Sequence, residues 1–157
     1  MVRTPDLQSG NRGSTPRMGI MKLDIVKLAE KIAREAHKGQ KRKFSGDPYI
    51  VHPQRVPKSL DTDVERAIGW THDVEEDSDF SIIDLLRRGL PQVVVGTVSI
   101  LSRGVNADYA DYILRIRGNK LATKVKIADL KDNLQDLKKG SLRDKYELSL
   151  IILTESI

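Results

Sequence analysis

Apolar residues in this chain recur at three- and four-residue steps from residue 23 onward, and this spacing limits the fold more than any other feature. The first segment places its apolar residues on one face of a helix: Leu23, Val26, Ala29, Ile32, Ala33 and Ala36. No stretch alternates apolar and polar residues as a half-buried strand does. The sequence therefore predicts an all-α fold, a compact helical bundle.

Capping and breaking residues set the predicted helix boundaries. Thr62 with Glu65 three residues later forms a capping box, and Ser81 can cap the helix that follows. Gly39 and Gly140 end helices. The predicted helices cover residues 22–38, 49–60, 62–77, 82–88, 91–103, 108–117, 121–137 and 145–154.

The chain length of 157 residues fits one domain. Residues 1–21 are rich in glycine, proline and serine and show no apolar period, so we expect a disordered lead. This stretch could equally be a mis-called or cloned extension, because Met18 and Met21 are alternative starts. Residues 22–157 form the predicted domain.

Composition narrows the function classes. Cysteine is absent, which excludes disulfides and thiolate ligands, so a bound metal needs imidazole and carboxylate groups. The net charge is +5, but residues 1–22 alone supply +3, and a nucleic-acid partner is therefore not predicted. Apolar runs are too short to span a membrane and no signal peptide opens the chain, so we expect a cytoplasmic protein.

The chain has three histidines, and they differ in context. His37 lies near the end of the first helix, where an imidazolium favours the helix dipole, so we interpret it as structural. His52 precedes a proline just after a basic loop, and His72 is followed directly by Asp73. By itself, either of the last two positions is weak evidence for a site.

Acidic residues crowd the segment after His72. Glu76 lies four residues after His72 and Asp77 four after Asp73, so each pair shares a face if the helix continues. Carboxylates near a helix C-terminus are unfavourable as a solvated surface. A bound cation would remove that penalty.

A second pair of this kind is Asp129 and Asn133, four residues apart on an otherwise apolar helix. An acid in such surroundings needs a partner or a metal. Pairing of Asp129 with Lys126 or Lys131 is the alternative to a metal role. Imidazole and carboxylate ligands suit Mn²⁺, Fe²⁺, Co²⁺ or Zn²⁺ better than Ca²⁺.

Three blocks of this sequence resemble the hydrolase domain of RelA/SpoT homologues, HD-superfamily enzymes that degrade the alarmone (p)ppGpp. Residues 40–53, QKRKFSGDPYIVHP, are similar to the opening signature of that domain. Residues 72–77, HDVEED, resemble its HDxxED motif, and residues 126–134, KIADLKDNL, resemble its KxADxxxN motif. The blocks keep the family's order and span about residues 23–140.

The resemblance implies a role for each matching residue. The metal ligands, usually for one Mn²⁺, are His52, His72, Asp73 and Asp129. The acidic pair that positions and activates the attacking water is Glu76 and Asp77. The nucleotide-side residues are Arg42, Lys43 and Asn133. The implied reaction removes pyrophosphate from the ribose 3′ position of (p)ppGpp to give GDP or GTP.

Two alternatives remain open at this point. Leu130 and Gln135 stand where alarmone hydrolases favour basic residues, which admits another nucleotide substrate such as a dinucleotide 2′-phosphate. A nucleotide sensor without turnover would keep the metal ligands but lack Glu76 or Asp77, and both are present.

Overall fold

The computed structural model describes residues 23–157, and within that range it contains helices and no β-strand beyond one isolated bridge between Lys41 and Pro48. The α-helices are α1 (Ile25–Ala36), α2 (Val51–Arg55), α3 (Asp63–Thr71), α4 (Val74–Asp77), α5 (Ile82–Arg87), α6 (Gln92–Leu101), α7 (Tyr109–Arg117), α8 (Lys120–Asp136) and α9 (Ser141–Thr154). A 3-10 turn, Val56–Ser59, follows α2 directly. The predicted all-α class is confirmed, while the predicted disordered lead lies outside the described residues.

Local capping explains where several helices begin. The Thr62 hydroxyl accepts from the Glu65 amide at the start of α3, and the Glu65 carboxylate accepts from the Thr62 amide in return. Ser81 and Asp84 form the same reciprocal pair at α5. Both predicted caps are therefore confirmed.

The predicted helix over residues 62–77 is wrong, because the chain turns at His72 and Asp73 and divides it into α3 and α4. The imidazole Nδ1 of His72 lies 2.7 Å from the Gly69 carbonyl. An unbroken helix would give that carbonyl to the Asp73 amide. Glu76 and Asp77 consequently lie in the first turn of α4, where negative charge is favoured, and not at the C-terminus of a long helix.

Two other boundaries differ from the prediction. The helix over residues 49–60 is divided, because Pro57, which lacks an amide hydrogen, lies at the second position of the 3-10 turn Val56–Ser59. The last helix begins at Ser141, immediately after Gly140, four residues before the predicted start. Gly140 has φ 152, a conformation that side chains rarely adopt.

Helix α3 lies at the centre of the bundle and packs against α1, α2, α6, α8 and the 3-10 turn. Fully buried aliphatic residues from many helices form one core, among them Ile32, Ile68, Val74, Leu85, Val98, Ile116, Val125, Leu130 and Leu153. This packing brings α2, the α3–α4 turn and α8 together at one side. No helix in the described part of the chain is long and apolar enough to cross a membrane.

Gly69 allows a close approach that places two of these elements. A Cβ at this position would lie 2.9 Å from Leu60 Cδ1 and 3.3 Å from the Pro57 ring. The segment Pro57–Leu60 after α2 can therefore pack against the face of α3 with almost no gap. His52 on α2 and His72 at the end of α3 become neighbours as a result.

Candidate metal centre

Two buried imidazoles face each other where α2 meets the end of α3. His52 is 2% exposed and His72 is 3% exposed, and their Nε2 atoms are 3.2 Å apart. The outer nitrogen of each ring has its own acceptor. His52 Nδ1 lies 2.6 Å from Asp132 Oδ2, and His72 Nδ1 lies 2.7 Å from the Gly69 carbonyl.

These acceptors decide the tautomer of both rings. Because a carboxylate and a carbonyl can only accept, each Nδ1 of His52 and His72 carries a hydrogen. In the neutral rings both Nε2 atoms then present lone pairs to each other. Two facing lone pairs do not bond, so this arrangement requires a shared cation or added protons. Imidazoles that ligate a metal commonly donate their other N–H in this way.

Two carboxylates complete the cluster. Asp73 Oδ2 lies 3.5 Å from Nε2 of His52 and 3.2 Å from Nε2 of His72. Asp129 Oδ1 lies 3.0 Å and 3.4 Å from the same two atoms. Ligands about 2.0–2.2 Å from one metal are themselves about 3.0–3.5 Å apart. Among the described residues, His52, His72 and Asp73 place ligand atoms within 4.8 Å of one another and could hold one metal ion, and Asp129 borders both imidazoles.

The pKa values of the cluster also favour a cation at this position. Burial alone would lower the pKa of His72, but Asp73 and Asp129 outweigh it and raise the pKa to about 9. Burial would raise the pKa of Asp73 and Asp129, but the neighbouring cations hold both pKa values well below the usual range. The pocket thus favours positive charge between its carboxylates. A divalent ion supplies that charge in place of protons.

Lys126 supplies a further charge on α8. Its ammonium lies 2.7 Å from Asp129 Oδ2, the carboxylate oxygen that does not face the histidines. The pairing that the sequence offered as an alternative to a metal role is therefore present. The Lys126 ammonium contacts Oδ2, and Oδ1 still faces the imidazoles. The ion pair is therefore compatible with a metal role for Asp129.

Glu76 and Asp77 lie at the solvent-accessible rim beside Asp73. Glu76 Oε2 accepts from the Arg103 amide at 3.0 Å, while Asp77 Oδ2 lies 2.9 Å from the Tyr49 hydroxyl. Partial burial, together with the nearby Asp73 carboxylate, raises the pKa of both residues. A raised pKa brings a carboxylate nearer to what a general base needs.

The nucleotide-side residues are placed less uniformly. Asn133 donates to Asp129 Oδ1 at 2.7 Å and accepts from Arg42 at 3.2 Å, so both residues border the cluster. Lys43 is exposed, and its ammonium lies 5.9 Å from the Phe44 ring. Among the described residues, the structure does not bring Lys43 into contact with the metal-ligand cluster.

Sequence reasoning missed two residues of the site. Asp132 contacts His52, and Tyr49 donates to Asp73 at 2.6 Å while lying beside Asp77. Asp132 is three residues after Asp129, which puts both acids on one helical face, and this spacing was an available signal. Tyr49 gave no signal of its own, because its contacts join distant parts of the chain.

His37 has a structural role, as the sequence predicts, but through packing and not through a charged contact with the helix dipole. The residue does follow the last turn of α1, but it is 2% exposed, and burial lowers its pKa. Its ring packs 4.7 Å from the Tyr49 ring, and Nδ1 donates to Gln40 at 2.9 Å. His37 is therefore a neutral packing residue behind Tyr49.

Comparisons with known proteins bear on the family resemblance that the sequence indicates. No protein-family model matches this chain. A GTP pyrophosphokinase of Streptomyces coelicolor is 39% identical over 80 residues, which is 48% of this chain and 9% of that protein. The putative chloroplastic GTP diphosphokinase RSH1 of Oryza sativa is 48% identical over 61 residues, 36% of this chain and 7% of that protein. The chain thus spans less than a tenth of the curated relatives it matches.

A solved structure extends the likeness to the whole fold. It is described as a metazoan orthologue of SpoT that hydrolyses ppGpp, and it covers 84% of each chain with a TM-score of 0.68 and 22% identity. At that identity the match bears on the fold. The predicted resemblance to RelA/SpoT homologues is therefore confirmed, in sequence over up to 80 residues and in fold over most of the chain.

Proposed function

We propose that this protein is a divalent-metal-dependent nucleotide phosphohydrolase that removes the 3′-pyrophosphate of (p)ppGpp. The observation that carries the proposal is that the Nε2 atoms of His52 and His72 lie close together beside two carboxylate oxygens. Glu76 and Asp77 lie at the rim of this cluster. The curated relatives are named GTP pyrophosphokinase or GTP diphosphokinase, and the solved relative is described as a ppGpp hydrolase. The cluster of imidazoles and carboxylates supports the hydrolytic reaction in this proposal.

The metal would be held by His52, His72, Asp73 and Asp129, and we propose Mn²⁺ because the ligands are borderline to hard. When bound, such an ion polarises a phosphoryl oxygen and acidifies water. Lys126 keeps Asp129 ionised and oriented through its 2.7 Å contact. Tyr49 does the same for Asp73 at 2.6 Å.

Glu76 and Asp77 are the proton acceptors in this proposal. A water molecule attacks the phosphorus attached to the ribose O3′, one carboxylate takes its proton, and the bond from phosphorus to O3′ breaks. The O3′ then takes up a proton, and pyrophosphate leaves. The Arg103 amide donates to Glu76 and holds it in place, and Asp77 lies 2.9 Å from the Tyr49 hydroxyl. A positioned base of this kind contributes about 10²–10⁴-fold in rate.

Arg42 and Asn133 are proposed to contact the nucleotide, because they join the metal-ligand cluster to the loop of residues 41–48. Lys43 lies on that loop, exposed, and would meet the substrate only from solvent. Leu130 is fully buried in the core, so its own side chain does not reach a bound substrate. Gln135 is exposed on α8 and keeps a dinucleotide 2′-phosphate as the second candidate substrate.

The direct test is an assay of the full chain with Mn²⁺ on ppGpp beside a panel of nucleotides that includes a 2′-phosphorylated dinucleotide. We expect pyrophosphate and GDP from ppGpp, and complete loss of turnover in EDTA. Asp73→Ala should abolish turnover, and the exposed Asp79→Ala should not. Metal-dependent release of phosphate or pyrophosphate from another nucleotide would change the assigned substrate and leave the proposed chemistry standing. Metal binding without turnover of any nucleotide would favour a sensor.

A further inference from the structure

The two imidazoles of the metal centre are fixed by different means. His72 donates its Nδ1 hydrogen to a backbone carbonyl, that of Gly69, which no substitution can alter directly. His52 donates to a side chain, the Asp132 carboxylate, at 2.6 Å. The orientation of His52 therefore depends on one replaceable residue that neither the family resemblance nor the comparisons assign.

Asp132 is itself held firmly. It is 5% exposed, and it lies between two arginines, Arg42 before α2 and Arg55 within α2. Arg55 Nε lies 2.7 Å from Oδ1, and Arg55 Nη2 lies 3.1 Å from Oδ2. Arg42 Nη1 lies 3.4 Å from Oδ2. The carboxylate thus has positive partners on both oxygens, which fixes its plane against the imidazole.

We propose that Asp132 is a positioning residue for the metal centre, which holds His52 with hydrogen on Nδ1 and its Nε2 lone pair toward the ion. The inference rests on the metal site of the proposed function but not on its substrate. A carboxylate behind a metal-bound imidazole fixes the ring and raises its basicity. The arginines determine the plane of that carboxylate.

Asp132→Asn separates this role from simple packing. The amide has the same shape but only one accepting oxygen. If that oxygen faces His52, the NH₂ group faces the Arg55 guanidinium, and two donors meet. If the oxygen faces Arg55, the NH₂ group faces His52 Nδ1 and favours the wrong tautomer, with hydrogen on Nε2, which cannot bind a metal.

Asp136 offers a matched control one helical turn further along α8. Its carboxylate lies 2.8 Å from Arg42 Nη2 and 3.5 Å from Arg55 Nη2, so it contacts the same two arginines. It has no contact with His52 among the described residues. Asp136→Asn therefore removes an equivalent charge and leaves the imidazole bond intact.

The experiment measures the affinity of the full chain for Mn²⁺ by calorimetry, without substrate. We expect Asp132→Asn to weaken binding about 10–100-fold and Asp136→Asn to change it by less than about twofold. Nitrogen-edited NMR of the Zn²⁺-loaded protein, which is diamagnetic, should show a protected His52 Nδ1 hydrogen in wild type and Asp136→Asn. That signal should shift or vanish in Asp132→Asn.

Each failure has its own signature. Equal Mn²⁺ affinity in wild type and Asp132→Asn would overturn the positioning role and leave the proposed function standing. Absence of the His52 Nδ1 hydrogen in the Zn²⁺-loaded wild type would overturn it as well, even if Asp132→Asn does not fold. A wild-type chain that binds neither Mn²⁺ nor Zn²⁺ would overturn the proposed function and this inference together.

Discussion

At the scale of single residues, the site is defined by which atom of each side chain is already engaged. Asp129 gives Oδ2 to Lys126 and turns Oδ1 to the imidazoles. Asp73 receives the Tyr49 hydroxyl on the same Oδ2 that lies near both Nε2 atoms. Each of these side chains is therefore held by at least one fixed partner, and Asp129 is held by two because Asn133 donates to its Oδ1, which is the kind of support that a preorganised metal site needs.

Glu76→Gln tests the division between metal ligands and proton acceptor. The amide can still accept from the Arg103 amide, but it cannot take a proton from water. We expect Mn²⁺ affinity to stay near wild type while turnover falls about 10²–10⁴-fold. Glu75→Gln, the adjacent residue on α4, should leave turnover unchanged. Loss of metal binding in Glu76→Gln equal to that of Asp73→Ala would refute the division.

At the scale of elements, α3 positions the site because it packs against most of its neighbours. Its N-terminus is tied to α8 by an ion pair between the buried Glu65 and the partly exposed Lys124 at 2.9 Å. Its C-terminal half contacts the 3-10 turn through Gly69. The same helix thus fixes the spacing between α2 and α8, which carry His52 and Asp129.

Gly69→Ala is expected to destabilise the fold although alanine favours helices. The added methyl would lie 2.9 Å from Leu60 Cδ1, and overpacking of this kind costs about 1–3 kcal/mol. Gly96→Ala on α6 is the matched control, because its Cβ meets nothing within 4 Å. It should gain about 0.5–1 kcal/mol from helix propensity. Urea denaturation of the two variants measures the change in the free energy of unfolding for each. A gain in stability for Gly69→Ala would disprove the tight contact.

We expect Glu65→Gln to lower the free energy of unfolding by an amount that depends on pH. Burial alone would raise the pKa of Glu65, but the Lys124 ammonium and the Asp61 and Thr62 amides outweigh it and lower the pKa below 4.5. The ionised carboxylate therefore stabilises the fold above about pH 4.5, and this contribution is lost as the pH falls through the lowered value.

We expect Glu65→Gln to cost about 1–3 kcal/mol at pH 7, because a buried hydrogen bond to a charged group is lost. The difference from wild type should narrow below pH 4.5. Urea unfolding at several pH values measures it. Asp63→Asn, an exposed acid in the same turn, should cost less than about 1 kcal/mol. A difference that is constant from pH 7 to pH 3 would contradict the role of the Glu65 charge.

At the scale of the whole molecule, metal binding and folding are linked, because the four ligands come from α2, the α3–α4 turn and α8. These elements meet only in the folded chain. An ion that binds the folded state alone stabilises it by about 2.7 kcal/mol at 100 times its Kd. For a chain of this size, that corresponds to a rise in Tm of about 5–10 °C.

Thermal unfolding with Mn²⁺ and with EDTA tests this linkage. We expect the higher Tm with Mn²⁺, full reversal by EDTA, and no shift in Asp73→Ala. Asp79→Ala should shift as wild type does. An identical Tm in Mn²⁺ and EDTA for the wild-type chain would show that the four residues do not hold the ion.

The sequence by itself determined the helical class, the capping box at Thr62, the cap at Ser81, and the three blocks that hold the candidate site, because all of these depend on neighbours within a few residues. The break at His72 and Asp73 was not predictable, because it depends on the His72 ring taking the Gly69 carbonyl in the folded chain. The roles of Tyr49 and Asp132 were also decided by tertiary structure, since each joins segments at least 24 residues apart. Local pattern selects the residues that can bind a metal, whereas long-range packing decides which atom of each faces the other members of the cluster.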